Sequence, residues 1–422
     1  MYTHKTHYTV LADDVSGAAD SCYCLTQLSN GCVVTLRPDC LQHMDDIVYI
    51  GVTNDRGLHH DALVQRWGQW KEFVQQGFGQ GEMILKVDSL GRGSWPERLR
   101  QMFVLEEAPQ ICLLVPAIPP AGRTTINGYQ LLHGIPIDQT EVANDPTSPV
   151  VSAAMPEIAR AAWEDVRLLS LQDIQQGVAH LVNVLRRAID DAGSHLIMVA
   201  DAETLDDIRT LIRSVRMAQL RPLWAGATSL IEMLAEAEIQ QERRTHVTQE
   251  ISLHLTDAPT LYVVGSLSAT VRTELQDMQV PTVQMVPQVG LVVEHDQAQN
   301  PLAGDSDLAA LTPLAGDGYR WEDVLGTVQT VIGELFNAHS WGLLVVTGGD
   351  TTAAVVEGLQ GWGLRIVSRI NVGTVCCTIV GGPHEGFPLI TKVGSMGSLR
   401  IVRAGDTVRM ATTDSGTKEH AL

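Results

Sequence analysis

Short apolar runs alternate with helix-like stretches from the start of the chain. Tyr8 to Ala12 is apolar, Ser16 to Leu28 carries small and apolar residues at helical spacing, and Cys32 to Leu36 is apolar and β-branched again. Further strands are expected at Ile47 to Val52, Met83 to Val87, Ile111 to Pro116 and Leu196 to Ala200. Helices are expected between most of them, at Ala62 to Gln76, Pro96 to Glu107 and Leu171 to Asp191. Such alternation predicts an α/β protein in which a mostly parallel sheet is covered by helices on both faces.

The rhythm breaks once. From Ser229 to Glu250 the chain is polar and helix-favouring, and a new strand pattern begins at Thr260 to Val264. A boundary is expected between Ala237 and Asp257, separating a domain over 1–240 from one over 256–415. The second half repeats the α/β rhythm, with a helix over Tyr319 to Ala338 and strands at Gly342 to Val346 and Val372 to Val380. A length of 422 residues is too much for one ordinary core, which fits two. With 45% hydrophobic and 18% charged residues, both halves can bury sizeable cores.

Charge narrows the partners. With 49 acidic against 29 basic residues the net charge is −20, which repels nucleic acid and anionic lipid. The opening residues have no basic segment followed by an apolar stretch, and no run reaches the ~20 apolar residues of a membrane span. A cytoplasmic protein without nucleic-acid or membrane partners is expected. Seven cysteines without a C-x-x-C spacing read as reduced, mostly buried thiols.

Candidate chemistry sits where apolar runs end. In LADDVSGAAD the carboxylates Asp13 and Asp14 stand at a strand end before Ser16-Gly17, where ligands bind in open α/β sheets; helix capping would account for one of them. In KVDSLGRGSWPE, Lys86, Asp88, Ser89 and Arg92 lie within seven residues. The cations there can hold a carboxylate, and Asp and Ser can bond hydroxyls; a solvated turn before a Pro-initiated helix is the rival reading. The stretch VPAIPPAGRTTINGYQLLHGIPI, with Arg123 among Thr hydroxyls, reads as an extended surface segment. GSLSA, TGGDTT and KVGSMGS are three Gly-punctuated turns after strands, and together they favour phosphate binding. None matches a P-loop, and the first strand lacks a dinucleotide fingerprint, which disfavours a dehydrogenase.

Taken in order, LADDVSGAAD, NDRG, KVDSLGRG, PAIPPAGRTTINGYQLLHGIPI, TEVANDPTSPV, GSLSA, TGGDTT and KVGSMG resemble the four-carbon acid sugar kinase family, from Tyr8 to about Arg403. The resemblance implies an acid-sugar domain followed by an ATP domain, with the active site in the cleft between them. Carried over by motif, Asp14, Arg56, Lys86, Val87, Asp88 and Ser89 would contact the sugar acid, and Arg92 joins the cations that could hold it. Ser266, Gly348, Gly349, Asp350, Thr351 and Gly394 would contact the nucleotide. Asp14 or Asp88 would accept the proton of the reacting hydroxyl. Magnesium is expected with ATP, its protein ligands unread, and a homodimer is possible. Leu90, Gly91 and Ser94, and later Val393, Ser395 and Met396, depart from the family's pattern. They motivate an alternative, an acid-sugar-binding protein of the same fold with altered catalysis.

Overall fold

The computed structural model describes residues 8–29, 31–40, 47–56, 58, 60–145, 148–242, 256–265, 269–293, 306–313, 318–394, 399, 401–404 and 407–410. They fall into two compact units. The first holds the described residues up to 242 together with 360–366 and 379–385, and the second holds the rest.

The first unit begins β1 (Tyr8–Ala12), α1 (Val15–Leu25), β2 (Gly31–Thr35), β3 (Ile47–Val52), α2 (His60–Gln80), β4 (Glu82–Lys86), α3 (Trp95–Phe103) and β5 (Ile111–Val115). Three short strands follow, β6 (Arg123–Ile126), β7 (Tyr129–Leu132) and β8 (Ile135–Pro136). The unit continues with α4 (Met155–Ala159), β9 (Val166–Leu169), α5 (Leu171–Gln175), α6 (Val178–Asp190), β10 (Leu196–Ala200), α7 (Leu205–Ala218), β11 (Leu223–Gly226) and α8 (Thr228–Glu242). Its main sheet runs β2-β3-β1-β4-β11-β5-β10-β9, with every pair parallel. Leu11, Met83 and Leu85 turn one way, into a core with Trp70 of α2 and Leu99, Met102 and Phe103 of α3. The alternate residues Val10 and Ile84 are equally buried, so both faces are covered, as near-continuous apolar strands require.

The second unit contains β12 (Thr260–Val264), α9 (Ala269–Asp277), β13 (Thr282–Val286), β14 (Gly290–Val293), β15 (Leu308–Leu311), α10 (Trp321–Ala338), β16 (Leu343–Thr347) and α11 (Gly349–Gly358). Then come β17 (Gly363–Asn371), β18 (Thr374–Val380), β19 (Pro388–Lys392) and the two-stranded pair β20 (Ile401–Ala404) and β21 (Thr407–Met410). Its sheet includes the run β14-β13-β15-β12-β16-β19-β18, parallel except that β14 and β18 are antiparallel to β13 and β19. Tyr262, Val264, Leu343, Val345 and Ile390 form its core. The start of β17 belongs to the first unit, where Gly363–Arg365 pair antiparallel with β2.

Three expectations change. The helix expected over Leu171 to Asp191 is two helices, parted at Gly177, whose φ of 87° suits glycine. The Pro- and Gly-rich stretch is no extended surface segment. It folds into the antiparallel sheet β6-β7-β8, and alternation turns Arg123, Thr125 and Gln130 inward. The cysteines are not all reduced: buried Cys22 of α1 and Cys32 of β2 lie 6.1 Å apart at Cα, within bonding reach, and form a disulfide. Among the described residues, no helix is long and apolar enough to cross a membrane.

Candidate active site

The order of the first sheet explains why distant motifs meet. From β1 the chain moves out to β2 and returns through β3 on one side, then enters β4 on the other. β1 therefore lies at a switch point, and the loops leaving β3, β1 and β4 share one edge of the sheet. Those loops carry Asp55 and Arg56, then Asp13 and Asp14, then Val87 to Gly93.

Asp14 caps α1, as an aspartate at that position readily does. Its Oδ1 accepts from Gly17 N at 2.6 Å and from Ser16 Oγ at 3.0 Å, while Arg56 Nη2 donates to its Oδ2. A Cβ on Gly17 would sit 3.2 Å from Asp14 Oδ1 and 3.4 Å from Lys86 Nζ, so glycine keeps that corner open. Arg56 also donates from Nε to Asp13 Oδ2 at 3.0 Å. Behind it the buried Arg98 of α3 pairs with Asp55 and lies 3.7 Å from Asp13. An alternating row of charges thus backs the site.

Asp88 is held more tightly. Its Oδ2 accepts from Leu90 N, Arg92 N and Arg92 Nε at 3.1, 3.2 and 3.0 Å, and its Oδ1 from Arg92 Nη2 at 3.1 Å. Arg56 Nη2 stands 3.8 Å from that same Oδ1. Arg92 reaches on to Asp145 Oδ2 at 3.1 Å, and Ser148 accepts from Gly93 N at 2.7 Å. The NDPTSPV stretch therefore clasps the KVDS loop, although its Pro146 and Thr147 lie outside the described residues. Lys86 Nζ turns back to Val87 O at 3.0 Å, and Ser89 Oγ accepts from Arg123 Nη1. Val87 packs its side chain in the core and gives its amide to Gly226 O at 2.9 Å.

The electrostatics follow from these contacts. Burial alone would raise the Asp88 carboxyl, but Arg92 and Arg56 pull it well below the carboxylate range. Asp14 is buried too and is likewise held low, by Arg56 and Lys86. Burial works against the Arg56 charge, but Asp13, Asp14 and Asp88 keep it firmly protonated.

In the second unit β12, β16 and β19 are neighbours, so their three following turns meet as well. Gly348, at a φ of 92°, gives its amide to Lys392 O at 2.9 Å, and α11 then starts at Gly349, Asp350 and Thr351. A Cβ on Gly265 would fall 1.7 Å from Thr351 Oγ1, so only glycine fits beside the first turn of that helix. Asp350 accepts from Trp321 Nε1 at 3.2 Å. Gly394 lies in the turn after β19, and Ser266 lies outside the described residues. Lys392 is 1% exposed and donates to Val393 O at 3.3 Å; burial lowers its pKa, against the pull of Glu274.

Sequence reading did not single out Arg98, Asp55, Asp145 or Ser148. Arg98 reads as an ordinary helix residue, and the other three stand inside quoted motifs without a recognisable spacing. One departure from the family's pattern has a simple outcome. Leu90 joins an apolar cluster with Ile137, Val142, Val150 and Ala153, while its amide still serves Asp88.

The fold defines a two-part α/β protein with a polar, charge-rich cluster at one edge of the first sheet and glycine-lined turns at the strand ends of the second. Residues 8–234 match the sugar-binding N-terminal domain family, and residues 303–401 the nucleotide-binding C-terminal domain family. The chain belongs to the four-carbon acid sugar kinase family. It is 24% identical over 430 residues to a D-erythronate kinase of Heliobacterium modesticaldum, covering 93% of this chain and 94% of the relative. It is 28% identical over 345 residues to a D-threonate kinase of Salmonella typhimurium, covering 74% and 77%. A Salmonella typhimurium LT2 structure, provisionally called a tRNA synthase, superposes with a TM-score of 0.70 at 18% identity over 93% of this chain and 97% of that one, a likeness of fold alone.

Proposed function

We propose that this chain transfers the γ-phosphoryl group of ATP to a terminal hydroxyl of a four-carbon sugar acid of the threonate, erythronate or 3-oxo-tetronate type. The observation that carries the reading is the meeting of Asp14, Arg56, Lys86 and Asp88 at one switch point. The relatives named as erythronate, threonate and 3-oxo-tetronate kinases support it. Phosphoryl transfer asks the protein for positioning and charge neutralisation more than for covalent chemistry.

In this reading Asp14 is the base. Both Asp88 oxygens are engaged by Arg92, and two backbone amides share its Oδ2, so Asp88 serves to hold Arg92. Asp14 borders the corner kept open by Gly17, with Lys86 alongside to steady developing negative charge. The nucleotide phosphates would lie on the amides at the start of α11, with Gly265, Gly348 and Gly394 allowing close approach. Magnesium would come with those phosphates and supply further charge neutralisation. Among the described residues no three His, Cys, Asp or Glu side chains gather to hold an ion. Asp350 would be its carboxylate contact, which fits a cation bound through one or two carboxylates plus phosphate.

The test is Asp14→Asn assayed with saturating ATP and acid. Turnover is expected to fall by about 10²- to 10⁴-fold, with the KM for ATP little changed. Unaltered turnover would remove Asp14 as the base.

A further inference from the structure

Three guanidiniums of the first unit's site are matched to carboxylates: Arg56 to Asp13 and Asp14, Arg92 to Asp88 and Asp145, Arg98 to Asp55 and Asp13. Arg123 is not. It is only 8% exposed, yet among the described residues its contacts are the Ser89 hydroxyl through Nη1 and no partner at all for Nε. Asp88 acts on it through space, but both oxygens of Asp88 already engage Arg92. Burial pushes the Arg123 guanidinium below its ordinary value; Asp88 opposes that push and Arg92 adds to it.

A buried cation without a counter-ion is costly, so a protein that keeps one gains where an anion arrives to meet it. The side chain is also held in advance. Its backbone pairs with Ile118 in both directions, at 2.8 and 3.2 Å, and Gln130 Nε2 fixes the Ser89 carbonyl at 2.8 Å. Ser89 Oγ accepts from Arg123 and still has its own proton to donate.

We propose that Arg123, with Ser89, receives the carboxylate of the sugar acid and thereby fixes which end of the substrate faces Asp14. This rests on the kinase reading of the same site. Ser89 lies three residues beyond Lys86, at most roughly 10 Å of chain. A four-carbon acid anchored at Ser89 would then extend its far hydroxyl toward Lys86 and Asp14. The planar fork of arginine suits a carboxylate, whereas Arg56 and Arg92 have already given theirs to aspartates.

Steady-state kinetics of Arg123→Leu and Arg123→Lys against wild type test this. Arg123→Leu is expected to raise the KM for the acid roughly 10- to 100-fold, with the KM for ATP and the turnover number within about twofold. Arg123→Lys, which keeps the charge without the fork, should fall between. An unchanged KM for the acid, or a joint change in both KM values and turnover that lysine does not relieve, would overturn the assignment. Should Arg123→Leu fail to fold, Arg123→Lys decides alone: a weakened acid with ATP unaffected supports it, and an unaltered acid KM sinks it. If wild type turns over no acid, the kinase reading fails by itself. Arg123 is then judged by acid-induced melting shifts: a shift in wild type that is lost in Arg123→Lys sustains it. No shift in wild type, or one the variant retains, disposes of it.

Discussion

Two buried carboxylates on the loops after the adjacent strands β1 and β4 show how far identical residue types can diverge. Asp14 shares its oxygens among a hydroxyl, one amide and Arg56, whereas Asp88 is locked by Arg92 and two amides. Asp88→Asn removes one partner of a buried ion pair, and denaturant unfolding is expected to register a loss of about 3–5 kcal/mol. A loss under 1 kcal/mol would mean that Arg92 does not depend on Asp88. The pH dependence has a definite sign. Both carboxyls are held below their unfolded values, so their contribution is complete above about pH 4 and is lost as pH falls through the folded values. Asp55 runs the opposite way, raised by burial and by Asp13 against Arg98, so its contribution declines as pH rises past its unfolded value. Acid titration of Arg92→Leu, whose Asp88 has lost its main counter-charge, should show stability falling at a higher pH than in wild type. An identical acid limb would contradict the assigned coupling. At this scale the sequence was partly legible: Asp14, Lys86, Asp88 and Arg92 stand out because they punctuate apolar runs. Arg98 did not, and Arg123 was noticed only on a stretch read as surface, because burial of a charge is decided by what folds over it.

Elements were legible where the pattern was long or regular. β1, β3, β10 and β12 have the expected bounds, and β4, β5 and β16 are shifted or shortened by one residue. β11 escaped notice: four residues after Pro222, including Gly226, make no convincing run, yet the strand sits between β4 and β5 in the middle of the sheet. The β6-β7-β8 sheet was hidden because Pro and Gly dominated a stretch whose inward positions are Arg, Thr and Gln. Two substitutions separate scaffold from site. Thr204 caps α7 in a reciprocal box with Asp207, and Thr204→Ala should cost about 1 kcal/mol in denaturant while leaving kinetics unchanged. Gly265→Ala forces a methyl onto Thr351 at the start of α11. It is expected to raise the KM for ATP about tenfold or more while sparing the acid's KM, and an unaffected ATP KM would argue that this helix start does not meet the nucleotide.

For the whole molecule, a surface of net charge −20 must gather its cations locally to bind two anionic substrates, and the first unit does so at one sheet edge. Family membership was readable because eight motifs keep their order along the chain; the hydrogen bonds that distinguish Asp14 from Asp88 were not, since they depend on loops from β1, β3 and β4 lying side by side. The most direct measurement is ATP consumption by the purified protein, with magnesium, across threonates, erythronates and 3-oxo-tetronates. The expected result is turnover of at least one of these acids with stoichiometric appearance of the phosphorylated acid. Acid-induced thermal stabilisation with no ATP consumed for any member of the panel would contradict phosphoryl transfer and leave an acid-binding protein in its place.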